Sequence, residues 1–385
     1  MRIGIVEIMP VGHLTLVDSI ARIYLSAPEN EVFIFVKKHA EKNFTGLKAE
    51  MQNRLTVIVK EDNISVNKFI FLIDSFPLDL LYITTLEKNF SNIYYFKFKQ
   101  PLRIVIHNID FWFDIKLKKQ FYMFRFDISW KNCIYRFKTY LIYPFWRNRL
   151  VKKILSNNGK FVVLNNNIRA ELARYINNDS IVVIPFSVYK TDIIDSSHNN
   201  KKIRICIPGS VDNTRRDYNS VLTIFEEEIA TFKNLYELDL LGILKLTPDG
   251  ILIKNRIDKL INRGMKVYYY SDYIPLDVYD NYLSKSNLIM GNLNVILNKF
   301  SSYGRTKESG IVYAMIRSAK PGIVPSQYPI MDEMKSSALT YNSYDELKSI
   351  LMKIAEKREI LEELDEKAKL NSLSFLPSNL LKTIN

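Results

Sequence analysis

Cysteine and histidine are scarce in this chain, and their scarcity removes several chemistries at once. Only Cys133 and Cys206 occur among 385 residues. That is too few for a disulfide framework or a cysteine metal site, and it fits a reducing compartment. The four histidines, His13, His39, His107 and His198, are scattered, and no two stand at ligand spacing. No Asp-x-Asp closes a strand pattern, so neither a divalent metal nor a resident cofactor is expected. No apolar run approaches the ~20 residues of a spanning helix. The opening Arg-Ile-Gly-Ile-Val reads as a strand rather than a signal peptide, which makes an intracellular, cytoplasmic location the expectation.

What is present begins with length. A chain of 385 residues exceeds one ordinary domain, and two are expected. An apolar share of 47% supports sizeable cores, while 25% charged residues keep the surface polar. The formal net charge of +13 is unevenly placed: between Phe111 and Leu155 stand eleven Lys and Arg against two Asp. The same window holds all three tryptophans and eleven Phe and Tyr. Cations draw a surface toward anionic lipid, and aromatic rings favour the headgroup boundary, so segment 111–155 is expected to meet a membrane surface. A solvated helical face with its aromatics in the core is the plainer alternative. Nucleic acid ranks third and is not expected, since none of its recognition signatures occurs.

Strand and helix patterns alternate along the chain. Strands are predicted over residues 3–9, 32–37, 55–59, 80–84, 93–98, 102–107, 160–164 and 181–185, with helices over 14–25, 47–52, 66–74 and 168–176 among them. The polar stretch 190–202 reads as a linker. The pattern then restarts with strands at 203–207, 237–241, 266–270, 288–290 and 322–325 and helices at 218–231, 251–263 and 276–285. A Glu- and Lys-rich helical tail covers 344–370. The expected organisation is an acceptor-side domain over 1–189, the linker, a second domain over 203–365 and a tail over 366–385. Two such series imply two Rossmann-like, doubly wound parallel-sheet α/β domains facing a central cleft, the default ligand site.

The most informative stretch is 303–325. Gly304, Arg305, Lys307, Ser309 and Gly310 form a loop rich in cations and backbone donors, followed by apolar Ile311, Val312, Met315 and Ile316 at helical spacing. A helix start of this kind gathers free N–H groups and the positive end of the macrodipole, which suits a phosphate. Lys320-Pro321 then closes the helix, and Gly322-Ile323-Val324-Pro325 reads as a buried strand.

On these residues the chain resembles the GT-B glycosyltransferases, of the family 4, group 1-like type found in bacterial surface-polysaccharide synthesis. Ile207-Pro208-Gly209-Ser210 with Arg215-Arg216-Asp217-Tyr218 looks like the first strand, turn and helix start of their nucleotide-sugar domain. Segment 270–275, with Tyr273, resembles the module bordering the nucleotide base. Segment 303–325 resembles the loop that holds donor sugar and ribose. Asn165-Asn166-Asn167 and Ile184-Pro185-Phe186 look like the end of the acceptor domain. The resemblance implies transfer of a hexose, with retention, from a nucleotide-diphosphate sugar to a glycan acceptor, expected to be lipid-linked. The expected donor-binding residues are Gly209, Ser210, Arg215, Arg216, Tyr273, Arg305, Lys307, Ser309 and Gly310. Retaining members carry two glutamates eight positions apart in that loop and helix. Aligned on Lys320-Pro321, Thr306 and Ala314 stand there instead, and Glu308 is the nearby carboxylate, assigned with His107 to catalysis. His13, Asn108 and Asp110, with His107 at a strand end, are placed on the acceptor side. A non-catalytic nucleotide-sugar binder on a degenerate fold is the rival reading.

Overall fold

The computed structural model describes residues 1–8, 13–87, 89–113, 142–191, 193, 201–298 and 301–384. Two compact units divide the chain. Unit 1 is Met1–Pro185 with Thr306–Glu308 and Leu381–Asn385, and unit 2 is Phe186–Arg305 with Ser309–Leu380.

Unit 1 is built on β1 (Arg2–Glu7), β2 (Glu31–Lys37), β3 (Leu55–Lys60), β4 (Leu80–Ile83), β5 (Leu102–Val105), β6 (Lys160–Val163) and β7 (Ile181–Val183). Their order is β3-β2-β1-β4-β5-β6-β7, and every pairing is parallel. Helices cover both faces of such a sheet, so its inner strands read as near-continuous apolar runs. Ile3 and Ile5 of β1, Val32 and Ile34 of β2, and Leu81 and Tyr82 of β4 are all buried. The helix Leu14–Leu25 turns Leu16, Val17, Ile20 and Ile23 inward. Strand order reverses between β1 and β4, which opens a switch point at their carboxyl ends.

Residues 93–98 form no strand. Phe90–Tyr95 is a short helix entered through Asn89, whose φ is 61°. Phe90 and Ile93 are buried while Tyr95 is 68% exposed, so a spacing of three decides the conformation over the β preference of Ile-Tyr-Tyr-Phe. Of the basic aromatic segment 111–155, residues 114–141 lie outside the described residues, and so does most of the expected linker. The helix Tyr143–Ser156 closes that segment. No helix among the described residues is long and apolar enough to cross a membrane.

Unit 2 holds β8 (Ile203–Pro208), β9 (Tyr236–Ile243), β10 (Lys266–Tyr270), β11 (Leu288–Met290), β12 (Gly322–Pro325) and β13 (Ala338–Tyr341). They lie in the order β10-β9-β8-β11-β12-β13, again all parallel. Their switch point falls between β8 and β11. The expected helix 218–231 is broken at Glu228 into Tyr218–Glu227 and Ile229–Leu235, and the tail into Tyr344–Glu356 and Glu359–Ser372. Strand β13 carries no pattern of its own that predicts it. Arg317, wholly buried, makes two bonds to Asp280 (2.5 and 2.9 Å), and Lys190 adds a third at 2.8 Å. Lys320 of the Lys-Pro pair is also buried, 3.6 Å from Asp365. These are ties within unit 2, and they leave neither cation aimed at solvent.

Candidate functional site

Each switch point gathers residues singled out in the sequence. In unit 1, β5 ends at Val105, and the next residues carry His107 and Asn108 out of the sheet. The Asn108 side chain caps the helix Ile109–Trp112, accepting from Phe111 N–H at 3.3 Å. Asp110 stands in the first turn of that helix. His13 precedes the helix Leu14–Leu25, its carbonyl accepting from Leu16 N–H at 2.9 Å. The His13 and His107 rings stack with centroids 4.0 Å apart and planes 26° from parallel.

Segment 306–308 joins the same group. Ile109 N–H donates to the Thr306 carbonyl at 2.8 Å, Lys307 pairs with Asn108 as an antiparallel bridge, and the Asn165 amide donates to the Glu308 carboxylate. Asn165 also caps the helix Asn166–Leu172, with Ile168 N–H 2.8 Å from its Oδ1. Unit 1 thus collects His13, His107, Asn108, Asp110, Lys307 and Glu308 at the carboxyl ends of β1, β5 and β6.

The electrostatics favour neutral imidazoles. Burial lowers the pKa of His107 to about 4; the bond to the Thr84 carbonyl opposes this, and the charge of Lys307 adds to it. Burial, then His107 and Lys307, hold His13 well below the ordinary histidine range. His107 Nε2 lies 2.7 Å from the Thr84 carbonyl oxygen. A carbonyl only accepts, so Nε2 carries the proton and Nδ1 is the basic nitrogen.

In unit 2 the turn after β8 is shaped by two glycines. Gly209 has φ +100°, and a Cβ added there would lie 2.1 Å from Arg216 Nη2. A Cβ on Gly242 of β9 would lie 1.9 Å from the Gly209 carbonyl oxygen. The bare backbones let the turn, with Ser210, lie flat on β9 while the Arg216 side chain folds over it. Arg216 is only 6% exposed and bridges Leu293 through its backbone. The next residue, Asp217, caps the helix Tyr218–Glu227, accepting from Ser220 N–H at 3.0 Å.

Four buried polar atoms here have no hydrogen-bond partner among the described residues: Arg216 Nη1, both amide atoms of Asn292, and the Tyr218 hydroxyl. Buried polar atoms are normally paired with protein, water or a bound group, which makes these four candidate ligand contacts in unit 2. Asn292 follows β11 at the switch point, and its carbonyl accepts from Asp217 N–H at 2.6 Å. The helix Gly310–Ser318 begins beside it, since a Cβ on Gly291 would touch Ile311 Cδ1 at 3.0 Å. Ser309 caps that helix through Ile311 N–H at 3.3 Å, and Gly310 is exposed.

Arg215 and Arg305 are exposed. Arg305 lines a surface pocket of about 430 Å³ with Tyr303, Ile296 and Gln327. Tyr273, 47% exposed, stands on the loop after β10, across β9 from Arg216. Gly209, Ser210, Arg216, Ser309 and Gly310 therefore gather at the unit 2 switch point, and Tyr273 and Arg305 stand to its sides. Among the described residues, no group of three His, Cys, Asp or Glu could hold a metal ion. Sequence reasoning missed Asn292, and in unit 1 it missed Glu7, Thr84 and Thr85. A carboxylate closing the apolar run of β1 was the signal available for Glu7.

No family model matches this sequence, and no curated protein matches it. In structure the chain is similar to Anabaena HepE solved with UDP and glucose, at 12% identity and a TM-score of 0.63, covering 100% of this chain and 98% of that one. HepE solved with UDP-glucose gives 12% and 0.58 over 100% and 98%. The N-terminal domain of Candida albicans trehalose-6-phosphate phosphatase gives 12% and 0.58 over 99% and 95%. At such identity the likeness is one of fold: two parallel sheets of seven and six strands in the GT-B architecture.

Proposed function

We propose that the protein is a glycosyltransferase that moves a sugar from a nucleotide diphosphate to a hydroxyl of a glycan acceptor. The observation that carries this reading is the set of buried, unpartnered polar atoms on Arg216 and Asn292, beside a glycine turn and an open helix start. Breaking a sugar–phosphate bond leaves a diphosphate whose growing charge needs fixed donors. A guanidinium, the N–H groups of Gly209-Ser210 and the start of the helix Gly310–Ser318 are such donors. HepE, of like fold, was solved with UDP-glucose, which makes a uridine nucleotide the first probe. In unit 1 the His107 imidazole, neutral at pH 7, would take the acceptor hydroxyl's proton on Nδ1, with Lys307 beside it.

The acceptor in this reading is lipid-linked, as in surface-polysaccharide assembly, and the protein works peripherally at the inner face of the cytoplasmic membrane. Support comes from the described end of the basic aromatic segment. Phe145 is 50% exposed with the Arg149 guanidinium 4.2 Å above its ring, and Tyr95, 68% exposed, packs on Trp146 at 5.1 Å. Flotation with anionic liposomes tests this: reversing Arg149 and Lys152 to Glu should weaken flotation, at ~1 kcal/mol per cation. Unchanged flotation removes the membrane claim.

The rival binder reading rests on Ala314, which is 2% exposed in the core where the resemblance expects a carboxylate. Calorimetry with UDP, followed by assay of UDP-glucose hydrolysis, separates the two. Binding with turnover supports transfer, binding without turnover supports the binder, and no binding by any nucleoside diphosphate overturns both.

A further inference from the structure

We propose that Glu7 is a positioning residue for His107, acting through Thr84 at the carboxyl ends of β1 and β4. Its catalytic meaning rests on the transfer reading above, but its structural content does not. The Glu7 carboxylate is 1% exposed and closes the buried apolar run 3–6. Its Oε2 accepts from the Thr85 hydroxyl at 2.6 Å and lies 2.9 Å from the Thr84 hydroxyl. An apolar residue would continue the core of β1 at no desolvation cost. A carboxylate stands there instead, and it holds two hydroxyls.

One of those hydroxyls belongs to Thr84, whose carbonyl faces His107. Thr84 N–H donates to the Val6 carbonyl at 3.0 Å, and its hydroxyl lies 3.0 Å from the same oxygen. The Thr84 peptide is therefore fixed through its amide and its side chain at once. Its carbonyl faces His107 Nε2 at 2.7 Å, while His13 stacks on the ring and sets its plane. The chain of contacts runs from the Glu7 carboxylate through the Thr84 hydroxyl and carbonyl to Nε2–H, leaving Nδ1 as the basic nitrogen of a ring that also feels Lys307. A tautomer fixed this way keeps the proton on Nε2 and the basic lone pair on Nδ1.

The test is nitrogen NMR of the full chain labelled with ¹⁵N-histidine, the His107 signals being assigned by their loss in His107→Gln. The wild type should show a pyrrole-type Nε2 and a pyridine-type Nδ1 at neutral pH. Glu7→Gln and Thr84→Val keep the Thr84 carbonyl but loosen its hold, so they should raise the share of the opposite tautomer above that of the wild type, and Thr84→Ser, which keeps the hydroxyl, should restore the wild-type pattern even if Glu7→Gln fails to fold. Donor turnover should drop on the order of ten- to a hundredfold in Thr84→Val with the donor KM nearly unchanged, as for a base held out of line. A wild-type Nδ1–H tautomer, or a folded Thr84→Val with the wild-type tautomer, overturns the proposal. A wild type that shows the Nε2–H tautomer yet turns over no donor sinks the transfer reading alone.

Discussion

Acid should destabilise unit 1 through its histidine pair, and His107→Gln should remove a measurable part of that loss. The His107 pKa falls from 6.5 to about 4 because burial penalises the imidazolium. In the unfolded chain the ring takes its proton near pH 6.5, whereas the folded ring resists it. The unfolded state then binds more protons across that window, so stability is intact above about pH 6.5 and declines as pH falls toward 4. Between pH 7 and pH 5 this one ring costs about 2 kcal/mol. Glutamine keeps an N–H for the Thr84 carbonyl and never titrates. The pH-dependent loss should therefore be about 2 kcal/mol smaller in His107→Gln than in the wild type, while His13, shifted in the same direction, continues to contribute in both. The assay is urea unfolding at the two pH values followed by tryptophan fluorescence. Trp112, Trp130 and Trp146 all belong to the unit 1 sequence, so the signal reports that unit. Parallel pH profiles for variant and wild type would refute the burial argument.

Arg216→Met should weaken UDP binding about ten- to a hundredfold by calorimetry, the worth of a hydrogen bond to a charged group, with the melting temperature little changed; an unaltered Kd would detach Arg216 from the diphosphate. Gly209→Ala places a Cβ 2.1 Å from Arg216 Nη2 at φ +100°. It should cost on the order of 1–3 kcal/mol of stability and weaken the same binding, whereas a neutral effect on both would mean the turn relaxes freely. Asp280→Asn leaves the wholly buried Arg317 without its carboxylate. Unit 2, followed by circular dichroism, should lose about 3–5 kcal/mol, and a loss under 1 kcal/mol would show that the Arg317 cluster adapts.

The two sheets were legible because parallel strands covered on both faces must be apolar without alternation. Ile203–Ile207, Leu288–Met290 and Gly322–Pro325 announce themselves in that way, and the amphipathic helix 14–25 is found at its predicted bounds. The failures share a cause. Ile93–Phe98 has the composition of a strand, yet Phe90 and Ile93 bury one helical face. The short β13 has only Ala-Leu-Thr-Tyr to show, and its place is set by pairing with β12, a contact that no local pattern encodes.

The candidate site was legible to the extent that its residues stand next to a strand end in sequence. His107, Asn108, Gly209 and Ser210 follow β5 and β8 directly, so topology alone brings them to the carboxyl edge. Segment 306–308 is different. Nothing in Thr-Lys-Glu indicates that its backbone pairs with Asn108 or that Glu308 meets Asn165, more than a hundred residues away. Asn292 and Glu7 were passed over for a third reason. A single polar residue at the end of an apolar run reads as the start of a loop until burial shows that water does not reach it, and only then does its bonding become a question. The answers differ: the Glu7 carboxylate accepts from protein hydroxyls, whereas the Asn292 side-chain amide has no partner among the described residues. That contrast is the ground for proposing a positioning role in unit 1 and ligand binding in unit 2.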